Sequence, residues 1–379
     1  MSRRTFLVAT GTLLLSGCGG GSPPDDVRVV AVHAGTDRQA RPVLGDRGRA
    51  VLRAAAESDR GTLTVVVAGA PDLTRTLDLV VRREPSGQVE HGPRRAELID
   101  ARLAEAEAAV TGAVPVTGTP DLLAGIAVAA RGTPGTLLVL DSGITTTDPL
   151  DLRLIGWEAE PAEIVERLRT ADLLPDLRGW EVVLVGLGRV AGGQAAPGTA
   201  QLRWLERFWT AVCTASGARG CAVEPVLERP ADPDPAIRST ALVPVPVVAT
   251  VAGPGGVVET TLPDSLLGFG PGSAELAPDA TAALAPVVAA YRRAPSRVLV
   301  AGFVALWGSE SYRAELSQRR ADAVARMLGS LGVAAADMTA EGRGAADGPA
   351  ASTTGGRFDE AKVVANGIRR VVVTVEPRR

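Results

Sequence analysis

Histidine occurs twice, cysteine three times, and aromatic residues make up only 3% of this 379-residue chain. Two histidines, His33 and His91, are too few for a His-rich metal centre. So few aromatics provide no platform for stacking bases. A net charge of −3 gives no basic footprint for nucleic acid. No phosphate loop ending Gly-Lys-Ser/Thr occurs. Gly186-Leu187-Gly188-Arg189-Val190-Ala191-Gly192 follows a strand pattern. A dinucleotide fingerprint belongs after the first strand, with its third glycine one position earlier, so this run reads as a flexible loop. His33, Asp141 and Ser142 can be assembled into a catalytic trio on paper, but Ser142 lacks the Gly-x-Ser-x-Gly setting of a nucleophile elbow. No catalytic residue, cofactor or metal site is therefore assigned, and a non-enzymatic protein is expected. What the chain does have is ordinary for folded domains: 46% hydrophobic and 22% charged residues. Its length suits roughly two to three domains.

The N-terminus reads as an address. Arg3 and Arg4 precede a short apolar run from Phe6 to Leu15, too short to span a bilayer, which takes ~20 residues. Leu15-Ser16-Gly17-Cys18 resembles a lipobox. The resemblance implies removal of residues 1–17, acylation of Cys18, and a membrane partner held through that lipid. Ser2-Arg3-Arg4-Thr5-Phe6-Leu7 resembles a twin-arginine export signal. Residues 18–26 form a Gly/Pro-rich tether reaching at most ~30 Å. The expected location is extracytoplasmic, on a membrane of the cell envelope. With Cys18 lipidated, Cys213 and Cys221 remain. They are close in sequence, and an exported protein sits where bridges persist, so a Cys213–Cys221 disulfide is predicted.

Residues 27–226 alternate strand and helix patterns. Val27–His33, Thr62–Ala68, Thr74–Val81, Thr136–Asp141 and Glu181–Gly186 read as strands. Arg47–Ser58, Arg94–Val110, Asp121–Arg131, Pro161–Thr170 and Thr199–Ala215 read as helices. This predicts an α/β unit with a mostly parallel, buried open sheet covered by helices on both faces. The short connection after the second strand requires the third to run antiparallel. The order, together with Thr117-Gly118-Thr119-Pro120-Asp121-Leu122, resembles a von Willebrand factor A-like domain. Such domains often hold a divalent metal at the C-terminal strand edge. Here His33-Ala34-Gly35-Thr36-Asp37 replaces Asp-x-Ser-x-Ser, and Leu140-Asp141-Ser142-Gly143 shifts the expected Asp by one. Thr36, Asp37, Thr119 and Asp141 can still meet at one edge. The expectation is an adhesion-type scaffold without metal, contacting an unidentified envelope protein.

Residues 227–259 are rich in proline and read as a semi-rigid joint followed by a hairpin around Gly253-Pro254-Gly255-Gly256. That hairpin is either part of the linker or an edge ribbon of the next domain. Residues 260–379 then run strand, helix, strand, helix, strand, strand, an α+β order. The Ser309–Leu331 helix places Leu316, Val324 and Leu328 on one face, with Arg320 in its middle. A guanidinium among apolar neighbours needs a carboxylate, from the chain or from a ligand.

The ordered set Leu316-Ser317-x-x-Arg320-Ala321, Gly332-Val333, Thr339-x-Glu341-Gly342-x-Gly344, Asn366 and Arg369-Arg370-Val371 resembles the OmpA-like family, whose members hold peptidoglycan non-covalently. The resemblance implies that Arg320 grips a carboxylate of the stem-peptide diaminopimelate through paired hydrogen bonds. The family's Asp for the ammonium is Ala305 here, its usual Asn is Arg313, and Glu310 is the nearest acid offered as a substitute. Losing one charged hydrogen bond, worth ~1.5–3 kcal/mol, weakens the expected grip. The leading expectation is a lipid-anchored envelope protein that associates weakly with peptidoglycan. The alternative keeps the anchor and fold, pairs Arg320 internally and uses the second domain for protein contacts. A third places an envelope enzyme in the first domain.

Overall fold

The computed structural model describes residues 27–227, 232–233 and 235–378. The expected signal, Cys18 and the tether lie outside the described residues. Two sheets organise the chain, each with its own apolar core. Strands β1 (Arg28–His33), β2 (Thr62–Val67), β3 (Arg75–Asp78), β4 (Thr136–Leu140), β5 (Glu181–Val185) and β6 (Gly220–Glu224) form the N-terminal sheet in the order β3-β2-β1-β4-β5-β6. All neighbours are parallel except β2 and β3. The central strands are runs of Val, Leu and Ala buried on both faces, as a covered parallel sheet demands. Helices α1 (Gly45–Glu57) and α2 (Arg95–Thr111) cover one face. The other face is covered by α3 (Leu122–Ala129), the short α4 (Leu152–Ile155), α5 (Pro161–Thr170) and α6 (Thr199–Ala215). A disulfide between Cys213 and Cys221 ties α6 to β6.

Strand β6 is absent from the sequence-based reading. Its five residues, Gly-Cys-Ala-Val-Glu, are only half-buried at the sheet edge and carry no strong period-2 signal. The proline-rich stretch has attachments that the sequence-based reading does not include. Its described residues are stitched to the N-terminal sheet: Arg238 and Val243 are buried, Gln194 bonds both the N–H and the carbonyl of Val243, and the Trp157 indole donates to Pro244 O at 2.8 Å. This stretch is a strap along the N-terminal sheet.

The C-terminal sheet contains β7 (Ala249–Ala252), β8 (Val258–Pro263), β9 (Ser296–Phe303), β10 (Met338–Gly342) and β11 (Arg370–Pro377), in the order β10-β9-β11-β8-β7. The hairpin of β7 and β8 is therefore an edge ribbon of this sheet. Helices α7 (Asp264–Leu267), α8 (Ala280–Tyr291), α9 (Glu310–Ser330), α10 (Pro349–Ser352) and α11 (Glu360–Ala365) complete the unit. Helix α9 starts where the Ser309 hydroxyl accepts from Tyr312 N at 3.2 Å. It lies very close to β9 at Gly302, where any Cβ would fall 2.2 Å from Ser317 O.

The two units meet through α4 and α11. Gly156 ends α4 at φ +75°, and a Cβ there would fall 2.6 Å from Val364 on α11, so glycine serves both the turn and the contact. An Arg203–Asp279 ion pair at 2.6 Å crosses the same junction. Among the described residues no helix is long and apolar enough to cross a membrane.

Candidate functional site

Arg320 lies one helical turn from Leu316 and from Val324, both buried, and is itself 4% exposed. Its side chain points at α7 and the loop that follows. Nη1 donates to Oδ2 of Asp264, Nε to Ser273 O at 2.9 Å, and Nη2 to Gly270 O at 3.2 Å. The guanidinium also lies over the Phe269 ring, 4.9 Å from its centroid. A guanidinium has five N–H groups. These three bonds leave one N–H on each Nη. Asp264 is 1% exposed. Burial pushes its carboxyl up, while Arg320 and then Arg369 pull it back down. Its Oδ1 is buried and has no hydrogen-bond partner among the described residues.

Beside this pair is a cavity of about 920 Å³ between the two units. Ile155, Glu158 and Ile164 line it from the N-terminal side, and Phe269, Ala305 and Arg320 from the C-terminal side. Trp307 also faces it, is 64% exposed, and meets Phe358 edge-on at 5.4 Å. Arg320 and position 305 thus share one cavity, with a methyl group at 305. Arg313 lines it as well, its guanidinium donating to Gly308 O. Glu310 does not line it and faces solvent, which corrects the expectation that it substitutes for the missing acid. The acids that line it are Asp264, Glu158, Glu160, Glu163 and Glu360, the last in a paired bond with Arg369 (Nη2–Oε2 2.7 Å). Burial pushes Glu158 up to about 7, with Arg369 opposing.

The edge of the N-terminal sheet is arranged differently. Asp141 is buried and accepts from Ala34 N (2.8 Å), Gly143 N (2.9 Å) and Gln39 Nε2 (2.9 Å). Asp37 accepts from Thr240 N and the Ser239 hydroxyl, both on the strap. Thr36 is buried and Thr119 exposed. Arg238 enters this edge from the strap. It donates to Gly35 O (3.0 Å), Thr117 O (3.1 Å), Ala68 O (2.6 Å) and Ala34 O. A guanidinium therefore sits among the loops where the resemblance would put a cation. Among the described residues no group of three or more His, Cys, Asp or Glu side chains is placed to hold a metal ion. His33 is buried beside it, and among the described residues neither ring nitrogen has a hydrogen-bond partner. Burial, then Arg238, lowers it to about 4.

The OmpA family model matches residues 268–361. These residues are an OmpA family domain. Outer membrane protein P5 of Haemophilus influenzae is 35% identical over 130 residues, which is 34% of this chain and 34% of that protein. The chain thus spans about a third of the length of the curated relatives it matches. Among solved structures, a putative MotB like protein from Desulfovibrio vulgaris is 28% identical with TM-score 0.29, covering 35% of this chain and 80% of that one. The cell wall anchor of the T6SS from Pseudomonas aeruginosa is 27% identical with TM-score 0.28, covering 35% and 88%.

Arg320, Ala305, Trp307 and Arg313 lie inside the OmpA-like domain's matched range. Asp264 and Arg369 lie just outside it, and Glu158 comes from the other unit. Sequence reasoning required an acid for Arg320 but had no local signal for Asp264, which is 56 residues away. It could have been flagged as the acid opening the segment between a strand and Leu267. Glu158 and Arg238 carried no such signal.

Proposed function

We propose that this is a non-enzymatic, lipid-anchored protein of the cell envelope whose OmpA-like domain holds the peptide stem of peptidoglycan in the cavity beside Arg320. The carrying observation is that a buried guanidinium lines a cavity of about 920 Å³ with an N–H to spare on each Nη. A carboxylate accepts charge-assisted hydrogen bonds from such donors. The family match supports the reading. In this proposal residues 27–226 form a protein-binding scaffold resembling a von Willebrand factor A-like domain. Residues 227–259 join it to an OmpA-like domain taken as 260–379, and Cys18 carries the lipid.

The test is retention of the full chain by purified sacculi. Wild type is expected to sediment with them, and Arg320→Ala to stay in the supernatant. Ala305→Asp is expected to raise retention by roughly tenfold, the effect of one charged hydrogen bond. No retention of the wild type overturns the proposal. A second reading is favoured by one observation: Arg320 already has an internal acid in Asp264. In that reading the domain has a structural or protein-contact role, and neither wild type nor Ala305→Asp is retained.

A further inference from the structure

The cavity beside Arg320 contains unsatisfied groups of both signs. On one wall Arg320 has an N–H free on each Nη. Asp264 and Glu158 both line the same space, and each has one buried carboxylate oxygen, Oδ1 and Oε2, that accepts no hydrogen bond among the described residues. Buried polar atoms are normally paired. Two under-satisfied acids lining one cavity are where a ligand bearing donors fits. Asp264 already answers Arg320 through its other oxygen. Among the described residues Glu158 has no ion-paired partner of its own; Arg369, whose charge reaches it, is bonded to Glu360. Of the two acids, Glu158 comes from a different unit than the free donors, because it lies just after α4 and Arg320 on α9. A ligand with a carboxylate alone would leave Glu158 unsatisfied. An amine alone would leave the Arg320 fork unsatisfied.

We propose that Glu158 of the N-terminal unit is the ammonium-binding carboxylate of this cavity, so that an amino-acid zwitterion is gripped between Arg320 on one unit and Glu158 on the other. This rests on the reading of the cavity as the stem-peptide site and adds a residue from outside the OmpA-like domain to it. A ligand so held bridges the α4–α11 junction, so occupancy fastens the two units together. The acid that the OmpA-like domain lacks at Ala305 is supplied across the junction.

The test is calorimetric titration of the full chain with meso-diaminopimelate, a zwitterion, and with pimelate, which keeps the carboxylates and lacks the amines. Wild type is expected to bind the zwitterion more tightly. Glu158→Gln removes the charge and keeps the shape. It is expected to lose roughly tenfold to a hundredfold in diaminopimelate affinity while pimelate affinity stays within about twofold. Glu158→Asp is expected to recover part of the loss, which a merely structural role would not produce. A melting temperature of Glu158→Gln at or above that of wild type shows that the loss is not unfolding. Unchanged diaminopimelate affinity in Glu158→Gln, with loss in Arg320→Lys, overturns the role of Glu158 and leaves the cavity reading standing. Absence of wild-type binding both to diaminopimelate and to sacculi overturns both.

Discussion

Two buried arginines, Arg238 and Arg320, are 6% and 4% exposed, and the contrast between them separates the two units. Arg238 spends four N–H groups on four main-chain carbonyls from three loops at the edge of the N-terminal sheet. Its charge is answered at longer range by Asp141. Arg320 spends three N–H groups, one on a carboxylate, and lines a large cavity. Equal burial therefore marks a closed plug in one unit and an open grip in the other. What distinguishes them is how many donors remain and whether space adjoins them.

The largest effect is expected at the plug. Arg238→Met leaves four main-chain carbonyls, three of them in buried bonds, without their donor and removes the charge that answers Asp141 at longer range. Breaking a buried charge network in this way costs about 3–5 kcal/mol, and at ~2–4 °C per kcal/mol for a unit of this size the first unit should melt on the order of 10 °C lower. A melt within about 2 °C of wild type would show that Arg238 is not a keystone of that edge. Next comes the grip. Arg320→Ala strands the buried Asp264 carboxylate and should destabilise the C-terminal unit by a similar few kcal/mol, besides abolishing retention on sacculi. Pairing it with Asp264→Ala removes the stranded charge, so most of the stability should return while retention stays lost. Retention by the double variant would mean that Arg320 only supports the fold.

The same comparison shows what was legible in the chain. Helix α9, its Ser309 cap and the placement of Arg320 follow from local rules, because periodicity and capping act within a few residues. The buried strands of both sheets are legible for the same reason. Asp264, Glu158 and Arg238 were not, since each acts on groups tens to hundreds of residues away, up to 204 for Arg238 with Ala34. Arg238 was also hidden by its surroundings: five prolines nearby suggested a semi-rigid joint, and proline content reports backbone stiffness, not what a strap is fastened to. The disulfide is intermediate. Its partners are eight residues apart, so spacing and compartment suggested it. Replacing both Cys213 and Cys221 by Ser should cost about 2–3 kcal/mol, the loop-closure value for so short a loop. That loss should fall on the N-terminal unit alone; equal destabilisation of the OmpA-like domain would mean the units unfold as one.

The smallest effects, and the sharpest separation of the two units, are expected in pH dependence. His33 is held at about 4 in the folded chain against an unfolded value of 6.5. Below the unfolded value the unfolded chain takes up a proton that the folded chain refuses, so its contribution erodes as pH falls from about 6.5 toward 4. Glu158 has the opposite sign. It is raised to about 7 from 4.5, so between those values the folded chain holds a proton that the unfolded chain has lost. Its contribution is greatest in acid and erodes as pH rises toward 7. His33→Leu should therefore flatten the acid-side fall in melting temperature of the N-terminal unit. Glu158→Gln should flatten the loss between about pH 5 and 7 and leave the acid side alone. Melts at half-unit pH steps measure both. If Glu158→Gln leaves the slope between pH 5 and 7 unchanged, the carboxyl is already charged and satisfied in the ligand-free chain, and the cavity holds one open donor fork with no open acceptor opposite it.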